Sequence, residues 1–84
     1  MAIRILYFAS LRESVGQSEE ELPLPDGVSN VEQLRTQLGA RGGGWGTLES
    51  DKNLRVAVNQ RMADPAAPLR DGDEVAFFPP VTGG

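Results

Sequence analysis

The chain has 84 residues, a net charge of −4, and neither cysteine nor histidine. At that length folding buries only about 60 to 65% of the chain's surface, which allows one domain and disfavours a deep catalytic cleft; the missing residue types exclude disulfides, thiolate and imidazole nucleophiles, zinc sites and iron–sulfur ligation. The acidic balance argues against nucleic acid as a ligand; with no apolar run near the ~20 residues of a membrane span, and no signal-peptide order in Met1-Ala2-Ile3-Arg4, the expected setting is the cytoplasm.

Residues 2 to 9 are rich in β-branched and aromatic types and predict a strand, with Ile3, Ile5 and Tyr7 on one face and Arg4, Leu6 and Phe8 on the other. Both faces turn apolar past Arg4, as in a central strand with a helix on one side and something else on the other. Ser10-Leu11-Arg12-Glu13 has the form of a capping box and Gly16 supplies a left-handed stop, predicting a short helical turn. Residues 17 to 24 predict a strand whose Glu19-Glu20-Glu21 run suits a solvated sheet edge, where charge discourages pairing with another chain.

Pro25-Asp26-Gly27 reads as a turn, and Ser29-Asn30-Val31-Glu32 as a second capping box. It opens the principal helix, whose Val31, Leu34 and Leu38 fall at i, i+3 and i+7 and which ends by Gly42-Gly43-Gly44. The segment containing Trp45, Leu48 and Lys52 gives no clear pattern, although Trp45 is expected in the core. Residues 54 to 59 alternate as a strand, Asn59-Gln60 makes a tight turn into a short strand around Met62, and Leu69 to Asp73 forms another turn. Glu74 to Phe78 is the last strand, with Val75 and Phe77 on one face and Ala76 and Phe78 on the other. This order predicts an α+β roll in one domain spanning 1–84, a mixed sheet of about five strands with one principal helix on one face.

After that strand come Pro79-Pro80-Val81-Thr82-Gly83-Gly84. Two prolines fix φ and direct the chain away from the sheet, while the glycines, without side chains, would fit a narrow channel. Residues 79–84 are therefore expected to be a flexible reactive tail, reaching about 20 Å at ~3.4 Å per residue. The Gly84 carboxylate, with an ordinary pKa of about 3.3 to 3.7, is an anion at neutral pH and inert as an acyl donor. Attack on the α-phosphate of ATP would make it an acyl adenylate, open to an amine or to a sulfur nucleophile. The chain has no phosphate-binding glycine loop and no obvious metal site, so a partner enzyme must supply that machinery.

The run Asp71-Gly72-Asp73-Glu74-Val75-Ala76-Phe77-Phe78-Pro79-Pro80-Val81-Thr82-Gly83-Gly84 closely resembles the C-terminal signature of the small, sulfur carrier subunit of molybdopterin synthase, a family with the ubiquitin-like β-grasp fold. Ile3 to Ala9 with Leu11-Arg12-Glu13, and Val58-Asn59-Gln60, extend the resemblance over the chain; residues 39–53 lie outside it. The resemblance implies that Gly84 is adenylated by a ubiquitin-activating-like adenylyltransferase that consumes ATP, and is converted to a thiocarboxylate by a sulfur donor system. Gly84 would then enter the large subunit, within a heterotetramer of two small and two large subunits, and give its sulfur to cyclic pyranopterin monophosphate. No cofactor or metal is bound stably, and the small subunit is not catalytic alone. Gly83 provides clearance for the reacting Gly84. Two other outcomes share the adenylate chemistry: a protein modifier joined through Gly84 to lysines, and a carrier serving another product such as thiamine.

Phe8, Met62 and Phe78 are expected to anchor the partner, followed by Pro79, Pro80, Val81 and Thr82; ordinary core is the competing account of the first three. Arg12 and Arg61 are further candidates for pairing with partner carboxylates.

Overall fold

The computed structural model describes residues 2–50 and 53–79. Strands β1 (Ile3–Tyr7), β2 (Glu19–Leu22), β3 (Arg55–Val58), β4 (Arg61–Met62) and β5 (Glu74–Phe78) form one sheet in the order β2-β1-β5-β3-β4. The last strand thus lies at the centre, parallel to β1 and antiparallel to β3. A parallel pair cannot be closed by a tight turn, so the chain between β1 and β5 must cross over the sheet. That crossover carries the helices: α1 (Ala9–Val15), α2 (Val31–Gly39) and α3 (Gly46–Ser50), with a 3₁₀ turn at Gly43–Trp45 before α3.

The strands alternate as their sequences require. Ile3, Ile5 and Tyr7 of β1, Val56 of β3, and Val75 and Phe77 of β5 all point to one face and are buried. Val31, Leu34 and Leu38 of α2 meet them, with Leu11 of α1 and Leu48 of α3 in the same core. The α+β architecture, the five strands and the principal helix are those anticipated. Asn59 and Gln60 both have positive φ, 52° and 69°, the twist-matched geometry of a two-residue hairpin turn between β3 and β4.

Two caps differ from expectation. Helix α1 starts one residue before Ser10, with Phe8 at the N-cap position and no side-chain cap; the Ser10 carbonyl instead accepts from Ser14 Oγ at 3.1 Å. The chain turns into this helix through Ala9, whose φ of 55° lies in the left-handed region. Such a corner lets β1 end abruptly. At α2 the cap is Asn30 rather than Ser29: its Oδ1 accepts from the Gln33 N–H at 2.9 Å, while Gln33 Oε1 accepts from the Ser29 N–H at 2.7 Å. The reciprocal logic of a capping box holds, displaced because Asn30 is an equally good cap one residue closer to the apolar face.

The segment without a sequence pattern is folded in its described part. Leu48 of α3 is fully buried, and α3 packs against α2 so closely that a Cβ on Gly39 would come within 2.7 Å of Glu49 Cβ.

Candidate functional site

The helices cover one face of the sheet. On the other, strand register sets out three rows of side chains. The lower row holds Glu21, Arg4 and Glu74, and the middle row Glu19, Leu6, Ala76, Ala57 and Met62. The upper row holds Phe78 and its cross-strand partner Arg55, with Phe8 beside Phe78, because the Phe8 N–H donates to the Phe77 carbonyl at 3.2 Å and extends the parallel ladder by one residue. Phe8 and Met62 are the exposed large hydrophobic residues among those described, at 47% and 63% exposure. Leu6, Ala57, Ala76, Phe78 and Pro79 are half-buried. An apolar band thus runs from Phe8 across the middle of the sheet to Met62.

Three of the expected anchors, Phe8, Phe78 and Met62, share this uncovered face, and Phe8 and Met62 lie outside the core. Pro79 follows Phe78 at its upper edge. Pro80, Val81, Thr82, Gly83 and Gly84 lie outside the described residues, so their expected roles rest on sequence. Arg12 and Arg61 are exposed and form no ion pair among the described residues. Sequence reading did not single out Leu6, Ala57 and Ala76 as part of the band; their period-two spacing with Phe8, Arg55 and Phe78 was the available signal.

Charge frames the band unevenly. Arg4 donates to Glu19 Oε2 at 2.9 Å through Nε and pairs with it at 2.7 Å through a terminal nitrogen. Its pKa is raised, first by that hydrogen bond and then by the Glu19 charge, with smaller contributions from Glu74 and Glu21. The side chains are about half exposed, so the pair contributes little to stability. Its effect is to neutralise the one cation of the lower end, leaving Glu21 and Glu74 uncompensated.

The glutamate run is not all solvated edge. Alternation turns Glu20 to the helix-covered side, where it accepts from Tyr7 Oη at 3.1 Å, from Gln17 Nε2 at 3.1 Å, and from both terminal nitrogens of Arg41 at 3.0 Å. Arg41 also lies over the Trp45 ring at 4.4 Å, and Trp45 meets Tyr7 edge-on at 5.4 Å between centroids. Trp45, expected in the core, is instead a half-buried cover packed against it. Burial, followed by the Glu20 charge and hydrogen bond, pushes the Tyr7 phenol far above its ordinary pKa. This cluster fastens the segment after α2 to β1 and β2 and holds the upper end of the core shut behind Phe77, which stacks on Tyr7 at 6.4 Å.

Among the described residues no group of three or more His, Cys, Asp or Glu is placed to hold a metal ion, and no helix is long and apolar enough to cross a membrane. The described residues thus present an uncovered apolar face with Pro79 at its upper edge.

Known proteins bear on that arrangement. Residues 5–84 match the family model described as the ThiS family. Over 82 residues the chain is 45% identical to the molybdopterin synthase sulfur carrier subunit of Escherichia coli (strain K12), covering 98% of this chain and 99% of that protein. The crystal structure of small archaeal modifier protein 1 of H. volcanii superimposes with a TM-score of 0.75 at 26% identity, over 95% of this chain and 98% of that one. A chain of the complex of subunits 1 and 2 of molybdopterin-converting factor from Helicobacter pylori 26695 superimposes with a TM-score of 0.67 at 24% identity, over the whole of both chains, a likeness of fold. The fold is the ubiquitin-like β-grasp.

Proposed function

Because the chain belongs to the ThiS family, and its Escherichia coli relative is a molybdopterin synthase sulfur carrier subunit, we propose that it carries sulfur for molybdenum cofactor biosynthesis as the small subunit of molybdopterin synthase. The similarity to that relative over nearly the full length of both chains carries the reading. An apolar face uncovered by any helix, with β5 delivering the chain to its upper edge, supports it.

In this reading the protein is not an enzyme alone. An adenylyltransferase of the ubiquitin-activating type docks on the open face and receives the tail. The Gly84 carboxylate attacks the α-phosphorus of ATP, pyrophosphate leaves, and a glycyl adenylate forms. Sulfide-level sulfur from the donor system then attacks the glycyl carbonyl, AMP leaves, and a thiocarboxylate remains. The large subunit next accepts the tail; the thiocarboxylate sulfur bonds to a carbon of cyclic pyranopterin monophosphate in place of an oxygen substituent, water cleaves the carbonyl–sulfur bond of the resulting thioester and restores the Gly84 carboxylate, and two such deliveries supply the two dithiolene sulfurs. Gly83 lets the tail pass a tunnel that a side chain would block. The chain's own contribution is positional: β5, held between β1 and β3 and ending at Phe78, fixes where the tail starts, and Pro79 and Pro80 restrict its direction. The chemistry belongs in the cytoplasm, in a heterotetramer of two small and two large subunits.

The modifier reading shares every step up to the adenylate, and small archaeal modifier protein 1 has the same fold. Mass analysis of the native protein distinguishes the two. Replacement of one oxygen by sulfur in the Gly84-terminal peptide is the expected result, with loss of synthase activity but unchanged folding when Gly84 is deleted. Gly84 found only in isopeptide linkage to lysines, or full activity without it, refutes the sulfur-carrier assignment.

A further inference from the structure

The open face is electrically polarised along its strands. At the lower end Glu21 and Glu74 outnumber Arg4, whose charge is already paired with Glu19 of the middle row. At the upper end, beside Phe78 and the start of the tail, stands Arg55, exposed and in no ion pair among the described residues. Four residues of extended strand separate the two ends, about 13 Å at ~3.3 Å per residue. That is longer than the Debye length of about 8 Å at physiological ionic strength, so a partner senses two poles rather than one averaged charge. Between them lies the apolar band, which attracts but does not orient, since hydrophobic burial has no direction.

We infer that Arg55 and the lower carboxylates set the rotation of the carrier on the large synthase subunit. The large subunit then presents a carboxylate opposite Arg55, near the mouth that admits the tail, and basic side chains opposite Glu21 and Glu74. Docked the other way round, each pole meets its own sign and Phe78 faces away from the mouth. Like-charge juxtaposition is what makes that orientation unfavourable. The inference rests on the open face being the docking face of a sulfur carrier. It adds a residue, Arg55, and a charge pattern required of the partner.

A net charge of −4 alone would lead to the opposite expectation for one variant, which makes the test sharp. Against a uniformly basic partner, Arg55→Glu makes the carrier more acidic and speeds association. Against a polarised partner it slows association. Stopped-flow association of the full-length carrier with the purified large subunit of the same organism should show Arg55→Glu slower by about fivefold at about 0.15 M ionic strength, where the two poles are resolved, Glu21→Arg slower as well, and both differences vanishing towards ~1 M salt, where the Debye length falls to about 3 Å. Thermal unfolding checks that both variants fold; Arg55→Gln, expected to slow association about twofold, serves if the reversal does not. An unchanged or faster rate for the folded Arg55 variants overturns the inference while leaving the carrier assignment standing. Failure of the wild-type protein to bind the large subunit overturns both.

Discussion

If the uncovered face docks a partner, replacing Phe8 or Met62 with Ala must cost more in binding than an equally large core residue costs there, and less in folding. Complete burial of such a side chain contributes about 1.5–3 kcal/mol. Phe8 is 47% exposed, so docking has about half of that still to gain, ~0.7–1.5 kcal/mol or a 3- to 12-fold change in Kd. Met62 at 63% exposure has ~1–2 kcal/mol to gain, a 5- to 30-fold change. The covered remainder already stabilises the fold, by ~0.7–1.5 kcal/mol for Phe8 and ~0.5–1 kcal/mol for Met62. At roughly 4–8 °C per kcal/mol for a domain of this size, either substitution lowers Tm by about 2–12 °C. Three strand spacings, about 14 Å, separate β1 from β4, so the two effects should add within ~0.5 kcal/mol and the double variant should bind about 15- to 300-fold more weakly. Phe77→Ala is the contrast: fully buried, it should cost about 3–5 kcal/mol of stability. Titration calorimetry against the large subunit, paired with thermal unfolding, measures all four. Affinity within twofold of wild type for both single variants, or a double variant no weaker than Met62→Ala alone, refutes the docking face.

Two further predictions concern the scaffold behind that face. A Cβ on Gly44 would overlap the Ser14 carbonyl oxygen, and neither backbone can yield freely, whereas Gly46 has open space around it; Gly44→Ala should therefore cost about 1–3 kcal/mol and Gly46→Ala almost nothing, and equal melting temperatures would refute the close approach of the 3₁₀ turn to α1. Tyr7 is the sole tyrosine and its phenol is held protonated by burial and by Glu20. Below pH ~10 the phenol is neutral in both folded and unfolded chains and stability is unaffected. Above it only the unfolded chain loses the proton, so stability should fall by up to ~1.4 kcal/mol per pH unit. Tyrosinate absorbance should show native Tyr7 ionising later than the urea-unfolded chain, and Tyr7→Phe should remove the slope from urea unfolding; coincident titrations would remove the Glu20 cluster's electrostatic basis.

The fold was legible where one period ruled a segment. Ile3, Ile5 and Tyr7 against Leu6 and Phe8, Val75 and Phe77 against Ala76 and Phe78, and Val31-Leu34-Leu38 each announce a face, and each face lies where its pattern put it. Residues 39–53 were opaque for a physical reason: among the described residues there, Leu48 is the single fully buried side chain, and one residue has no period. Near the start of that segment Arg41 reaches Glu20 at 3.0 Å across 21 positions of sequence, a tertiary fact no window contains. Glu20 was misjudged with its neighbours because a charge run suggests solvent, yet strict alternation already opposed Glu20 to Glu19 and Glu21. The uncovered apolar face was half legible. Exposed Phe8 and Met62 follow from the shortage of helices, but the Arg55–Phe78 pairing needs the register of β3 against β5.

That register fixes where the chain leaves the sheet. β5 is hydrogen-bonded on both sides, to β1 in parallel and to β3 antiparallel, so its position along the sheet is fixed twice. A slip of one residue would turn Val75 and Phe77 outward and drive Ala76 and Phe78 into the core, exchanging two fully buried side chains for two half-buried ones. Phe78 would take the place of Phe77, but Ala76 cannot fill the space of Val75, and Val75 and Phe77 would both be turned to the uncovered face, so the slip lowers a stability that is only ~5–15 kcal/mol for a domain. Pro79 therefore leaves the sheet from one place, beside Phe8 and Arg55. The core residues of β5 thus determine where the chain leaves the sheet, and the same strand's alternate residues, Ala76 and Phe78, lie on the uncovered face beside that point.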